Sequence, residues 1–278
     1  MPSRAAGLLD DTAARDYSRK LRLFSAFAEP ELRRAVAGLG IEPGMRILDA
    51  GCGTGEALEW LAGEAGAQGL VVGLDLADAH IAAASARMPA GAAVLQADLI
   101  RPPLAAGSFD LIWAVNTVNH LRDPTVGLKL LASLLREGGR IALGQSSLLP
   151  DMYFAWDARL ERLTHEAVHR YYRERYGLDE HALTGVRAIV GLLRSAQLRE
   201  VTAHTYLIER TAPLRPADEA YLLEAIFRGT WEGRLRPYLS SEDYDELTHL
   251  CDPQHRHYAL RRPDFHFLQS FTLAVGRI

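Results

Sequence analysis

A chain of 278 residues with a formal net charge of −4 and 24% charged residues has no basic excess, so bulk charge argues against nucleic acid as a partner. Its apolar share of 48% suits one large core, while no run of about 18 apolar residues predicts a membrane span. Two cysteines, Cys52 and Cys251, are too few for a disulfide framework or a metal cluster and suit a reducing, cytoplasmic setting; the first residues also lack the apolar core of a secretory signal.

In chain order, Tyr17, Leu21, Phe24 and Ala28 fall on one helical stripe. Pro30 opens a second predicted helix, roughly 30–39, that stops at Gly38 and Gly40. "MRILDA" (45–50) is a short apolar strand ending in an acid before glycines. A helix over 55–66, a strand over 69–76 and a helix over 78–88 follow, with Asp78 as its expected N-cap. Strands over 92–98 and 109–115 come next. A helix over 123–139 starts at Asp123-Pro124 and is expected to stop at glycines, before a strand over 140–147. Beyond it lie helical segments over 155–177 and 183–198 and a strand over 199–210. A helical pair over 217–239 and 240–252 precedes a closing strand over 265–278.

Strands that alternate with helices and are apolar throughout predict a mostly parallel sheet with helices on both faces, an α/β fold. We expect a single domain over 1–278. Residues 1–40 would form an N-terminal helical lid, 41–147 a binding core, and 150–180 and 211–264 helical insertions over the substrate. In such sheets ligands gather beyond the carboxyl ends of the strands. Four predicted strands end there in polar or glycine-rich sequence: Asp49-Ala50-Gly51, Asp75-Leu76, Asp98-Leu99 and Asn116-Thr117.

The loop Asp49-Ala50-Gly51-Cys52-Gly53-Thr54-Gly55 lacks the G-x-G-x-x-G spacing of a dinucleotide turn. Asp49 would repel a pyrophosphate at a helix N-terminus, and no Gly-Lys-Ser/Thr follows to cradle phosphate. An acid beside the loop suits a ligand with a cationic group instead.

"ILDAGCGTGEALEWLA", "GLDLADAHI" and "LQADLIRPPLAAGSFDLIWAVNTVNHLRDP" together resemble, in order and spacing, the motifs of class I S-adenosylmethionine-dependent methyltransferases. The texture is that of the small-molecule enzymes of ubiquinone/menaquinone biosynthesis, over residues 42–147. The resemblance implies a Rossmann-like seven-stranded sheet with its last strand antiparallel. It implies S-adenosylmethionine as cofactor, S-adenosylhomocysteine as product, and a small-molecule acceptor, natural-product or quinone-like. By that resemblance Ala50, Gly51, Cys52 and Gly53 meet the methionine tail and Asp49 its ammonium. Asp75 takes the ribose hydroxyls. Leu76 and His80 flank the adenine, although a surface histidine at 80 is an equal reading. Asp98 and Leu99 meet the adenine edge, Asn116 lies near the sulfonium, and Tyr17 closes over the cofactor.

Candidate bases are His120, which is also readable as structural, and His169. Tyr153, Trp156, Tyr172 and Tyr176 are candidate substrate residues, with His169, Tyr172 and Tyr176 on one face of a lid helix. His165 and His169 are four apart but lack a further cysteine or acid cluster, so no metal is expected. Residues 251–267, dense in histidine, arginine and aromatics, either bind an anionic or aromatic substrate or cover the sheet edge. The alternative to methyl transfer is a rearrangement or decarboxylation that uses the cofactor as an electrostatic element. A homodimer is compatible with the sequence.

Overall fold

The structure, a computed structural model, describes residues 17–146, 152–177, 179 and 185–278, with the Tyr176 side chain excluded. The first part of the expected N-terminal lid, residues 1–16, lies outside it. Five strands run parallel in the order β3 (Ala92–Gln96), β2 (Leu70–Asp75), β1 (Arg46–Ala50), β4 (Phe109–Val115) and β5 (Leu135–Ser146). β8 (His266–Arg277) then pairs antiparallel with β5, and β7 (Arg199–Thr211) pairs with the other edge of β8. A two-residue strand, β6 (Tyr153–Phe154), pairs with Leu268 and Phe267 of β8. Those two residues also pair with β7, so β6 must lie on β5's side. Eight strands thus fill seven places, and the antiparallel member is the expected closing strand.

Apolar residues alternate between two cores. Ile47, Val71, Leu111 and Trp113 face α1 (Ser18–Ala37) and α2 (Glu56–Ala65), whereas Leu48, Leu74, Ile112 and Leu143 face α4 (Pro124–Ser133) and α6 (Gly185–Ser195). Both faces of the sheet are therefore covered, as a parallel sheet requires. The remaining helices are α3 (Asp78–Ser85), α5 (Ala158–Tyr176), α7 (Pro216–Ala220), a π-helix over Tyr221–Trp231 and α8 (Ser241–Cys251). No helix among the described residues is long and apolar enough to cross a membrane.

Three expectations are corrected. The two predicted N-terminal helices are one, α1, with Pro30 inside it. The stripe Phe27, Ala28, Leu32, Ala35, Val36 is buried continuously across the proline, and Pro30 itself is exposed. Its lost hydrogen bond is therefore on the solvated side, where water can replace it. Second, α4 stops at Ser133 rather than running to the glycines. Leu134 and Leu135 are both buried, which the chain achieves by leaving the helix. Leu135 pairs with Phe109, and residues 136–139 bulge out before Arg140 rejoins β4 at Leu111. Third, Asp78 is the first residue of α3, not its cap; Ala77 holds the N-cap position, and its amide is taken by Asp75.

Helix α1 is held by charge. Arg210 of β7 donates to Glu31 at 2.9 Å and to Asp218 at 3.0 Å, with all three side chains at most 10% exposed. Its guanidinium lies 4.8 Å from the Phe27 ring centroid. Arg19 reaches Glu224 of the π-helix at 2.8 Å. Phe27 stacks on Tyr221 at 4.3 Å.

Candidate functional site

β1 ends at Ala50, fully buried, and the chain turns through the glycine loop into α2. The Gly51 and Cys52 amides both donate to Leu74 O, at 2.7 and 3.0 Å, tying the loop to β2. Gly51 has φ +84°, and a Cβ there would lie 2.4 Å from the Thr117 side chain. A Cβ on Gly53 would approach Leu21 of α1 to 3.0 Å. The loop is therefore bare where β4's exit loop and α1 come closest. Cys52 turns its thiol down toward Gly73, where an added Cβ would sit 2.9 Å from the sulfur.

Asp75 organises the site. One carboxylate oxygen accepts from the Gly53 amide at 2.9 Å. The other accepts from the Ala77 amide at 3.0 Å and lies 3.1 Å from His80 Nδ1. Burial pushes this carboxyl up, but the hydrogen bonds from His80, Ala77 and Gly53 outweigh it and hold it below the ordinary carboxylate range. Of about four acceptor positions on a carboxylate, three are used by the protein. His80 is only 4% exposed, so it is a buried partner of Asp75 and not a surface histidine.

Asp49 is 3% exposed and its Oδ2 has no hydrogen-bond partner among the described residues. Burial, then the charges of Asp75 and Glu56, push its pKa up to about 8. Glu56 is a member of this acidic group that the sequence reading passed over. It accepts from Thr54 at 2.6 Å and pairs with Arg87 at 2.6 Å.

Asn116, at the end of β4, has φ +53°. Its side chain accepts from the Ser146 amide at 2.8 Å and donates to the Ser146 hydroxyl at 3.2 Å, locking the ends of β4 and β5 together. The following 3-10 turn, Val118–His120, leaves Asn119 Oδ1 and His120 Nδ1 buried without partners among the described residues. Burial lowers the His120 pKa against the opposing effects of the Asn116 backbone and the Asp75 charge. Asp98 accepts from the Ile100 amide at 3.1 Å, Leu99 is buried, and Leu76 is 47% exposed beside them.

The strand edge thus gathers Asp49, Gly51, Gly53, Asp75, His80, Asn116 and His120. Tyr17 caps the start of α1 half-buried, four residues before Leu21. The expected substrate residues divide. Trp156 stacks on Phe154 at 4.4 Å in a cluster with Phe227 and Trp231, past the carboxyl end of β5. Tyr153 is half-exposed, with its ring edge-on to His165. Tyr172 packs on Tyr171 at 5.2 Å, and the Tyr176 side chain lies outside the described residues. His169 is exposed. α5 buries Leu160, Thr164, Ala167 and Val168, a stripe that does not include His169. His165 is tied to Met152 O at 2.6 Å, and no group of metal-ligating side chains occurs among the described residues.

Two surface cavities lie at different ends of the sheet. One of about 440 Å³, lined by Gly138, Arg199 and Arg277, lies at the opposite end of the sheet from the strand edge. The other, about 340 Å³, brings Arg256, His257 and Arg262 of the basic segment beside Trp156.

Residues 48–143 match the family described as "Methyltransferase domain". Methyltransferase GfsG of Streptomyces halstedii is 33% identical over 110 residues, covering 38% of this chain and 39% of that protein. The match to this relative therefore spans about two-fifths of its length. Nocamycin O-methyltransferase of Saccharothrix syringae is 29% identical over 247 residues, covering 84% of this chain and 81% of that protein. Phosphoethanolamine N-methyltransferase 2 of Haemonchus contortus, solved with S-adenosyl-L-methionine, shares the fold with a TM-score of 0.56 at 16% identity, over 99% of this chain and 61% of that one. The matched domain opens at Leu48, one residue before the loop's acid, and closes at Leu143 inside β5; residues 48–143 are a methyltransferase domain, and the chain around them is similar to a methyltransferase in sequence and in fold.

Proposed function

We propose that this chain methylates an oxygen of a small-molecule acceptor, with S-adenosylmethionine as donor. The observation that carries the reading is the buried Asp49 carboxyl with its unpartnered Oδ2, below a loop whose glycines leave room where side chains would clash. A zwitterionic tail fits that pairing: its ammonium answers Asp49, and backbone of the loop can approach its carboxylate end. Asp75, with about one acceptor position left, would take one ribose hydroxyl directly. Leu76, exposed and apolar, would lie against the adenine, whose edge Asp98 and Leu99 would meet.

When bound, the cofactor supplies a methyl group on a sulfonium, whose sulfur leaves with the bonding pair as a thioether. The chain's task is alignment and exclusion of water. α1, through Tyr17 and Leu21, roofs the loop. Asn116, held in a left-handed conformation by Ser146, fixes the backbone at the end of β4. His120, neutral near pH 7 and with Nδ1 unpartnered, would accept the proton of the acceptor hydroxyl. Nocamycin O-methyltransferase, the relative matched over most of its length, is named for transfer to oxygen, which supports that acceptor atom. The free thiols of Cys52 and Cys251 support a reducing, cytoplasmic setting.

Titration calorimetry with S-adenosylmethionine and S-adenosylhomocysteine tests the cofactor assignment. Both should bind wild type, and Asp75→Ala should weaken binding by about 30-fold or more, from lost hydrogen bonds to a charged acceptor. No binding to wild type would overturn the reading. Transfer of labelled methyl to oxygen acceptors, reduced in His120→Ala without loss of cofactor affinity, tests the chemistry.

A further inference from the structure

Helix α1 carries a half-buried cation, Lys20, that has no carboxylate partner among the described residues. Around it, Arg19 pairs with Glu224, Arg33 with Glu29, and Arg34 and Arg210 with Glu31; Arg22 is exposed to water. Lys20 instead turns its ammonium toward the Thr230 hydroxyl at 3.3 Å. Thr230 is 1% exposed and spends its own proton on Ala225 O at 2.6 Å. Lys20 makes no ion pair among the described residues, and its charged neighbour is another cation, Arg234. Burial and Arg234 together lower the Lys20 pKa. Arg234 makes no ion pair among the described residues either and lies over Tyr171, 5.9 Å from its centroid.

A half-buried ammonium facing an exposed guanidinium, with no counter-ion among the described residues, is costly in a static fold. The cost is offset when an anion completes it. The position fits an acceptor. Lys20 precedes Leu21, the residue that meets the glycine loop at Gly53. Its partner Thr230 precedes Trp231, which is 2% exposed and has an unpartnered indole N–H. Trp231 stacks with Phe227 at 5.4 Å and adjoins Trp156 at 5.9 Å, whose indole N–H is also buried without a partner. Both Thr230 and Trp231 belong to an eleven-residue π-helix, a rare geometry that concentrates at functional sites.

Resting on the methyltransferase reading, we propose that Lys20 and Arg234 recognise the acceptor through an acidic oxygen on a planar ring, a phenol, enol or carboxylic acid, with Trp231 as the adjoining wall. An ammonium beside such an oxygen favours its anionic form. The site selects acidic aromatic molecules over their neutral ethers and esters.

The test uses 2-naphthoic acid and its methyl ester, titrated into the full chain saturated with S-adenosylhomocysteine and read by tryptophan fluorescence. Wild type should bind the acid at least about tenfold more tightly than the ester, the scale of a charge-assisted contact. Lys20→Met should bring the two within about twofold, and Lys20→Arg should restore the preference. Arg19→Met, which loosens the lid by removing the Glu224 pair, should keep it. The proposal is overturned if wild type binds acid and ester equally, if neither binds at millimolar concentration, or if Lys20→Met keeps the preference. S-adenosylhomocysteine affinity is measured on every variant. Its absence in wild type would sink the methyltransferase reading, whereas its presence without an acid preference would sink this inference alone.

Discussion

The two halves of the site are held together by different physics. The proposed cofactor half is a matter of backbone: loop amides on Leu74 O, Gly53 on Asp75, and Ser146 on Asn116. Its residues lie within one α/β core, and its carboxyls face few cations. The lid half is a matter of side chains far apart in sequence. Arg210 reaches Glu31 across 179 positions and Arg19 reaches Glu224 across 205. A bare, preorganised turn can receive a ligand without rearranging. A roof assembled from ion pairs can be tuned, and lost, by single charges.

The largest effect should come from Arg210→Met. It strands two buried acids, so stability should fall by about 3 kcal/mol, the low end for a broken buried pair because Arg34 and Arg215 remain nearby. Urea unfolding measures it; a loss under 1 kcal/mol would break the claim that charge holds the lid. Gly51→Ala should act on the other half. Its Cβ meets Thr117, itself bonded to Val115 O, at a positive φ, so about 1–3 kcal/mol of stability should go. S-adenosylhomocysteine affinity should drop with it, and unchanged affinity would show that the loop is less preorganised than described.

Asp49 gives the third comparison. With its pKa raised from 3.8 to about 8, the folded apo protein holds a proton there at pH 7 that the unfolded chain does not. Apo stability from this group is therefore present at low pH and lost as pH rises from about 4 through 8. Pairing with an ammonium needs the carboxylate, so binding should release close to one proton at pH 7, and affinity should climb by up to about tenfold per pH unit toward pH 8. Calorimetry in buffers of different ionisation enthalpy reads this directly; buffer-independent heats would contradict it. The smallest effect is a gain. Gly63, exposed within α2 with nothing within 4 Å of an added Cβ, should tolerate alanine and yield about 0.5–1 kcal/mol in thermal unfolding.

The same division decided what could be read from the sequence. Asp49, the loop glycines and Asp75 are legible because a tight turn needs its residues adjacent, and the strand-end acids because apolar runs mark where strands stop. His80's burial was not legible, since its partner Asp75 is five residues away across a strand-to-helix turn. Pro30 misled because tertiary burial of Phe27, Leu32 and Val36 outweighed a local breaker. The direction of the His169 face was not legible, because helical spacing fixes which residues share a face, not which way the face turns. Lys20 left a faint trace, a cation three residues after Tyr17 on an apolar stripe, but Thr230 and Arg234 are over 200 positions away.

Cys52 has a practical consequence. Its thiol is packed beneath the loop against Gly73, and burial, with the charges of Asp49 and Asp75, pushes it far above the ordinary thiol range. Cys251 is raised by burial as well. Neither cysteine offers an accessible thiolate in the closed protein, so alkylating reagents should consume Cys52 only as fast as the loop lifts. The rate of its modification is a built-in clock for opening of the cofactor turn, and a bound ligand should slow it.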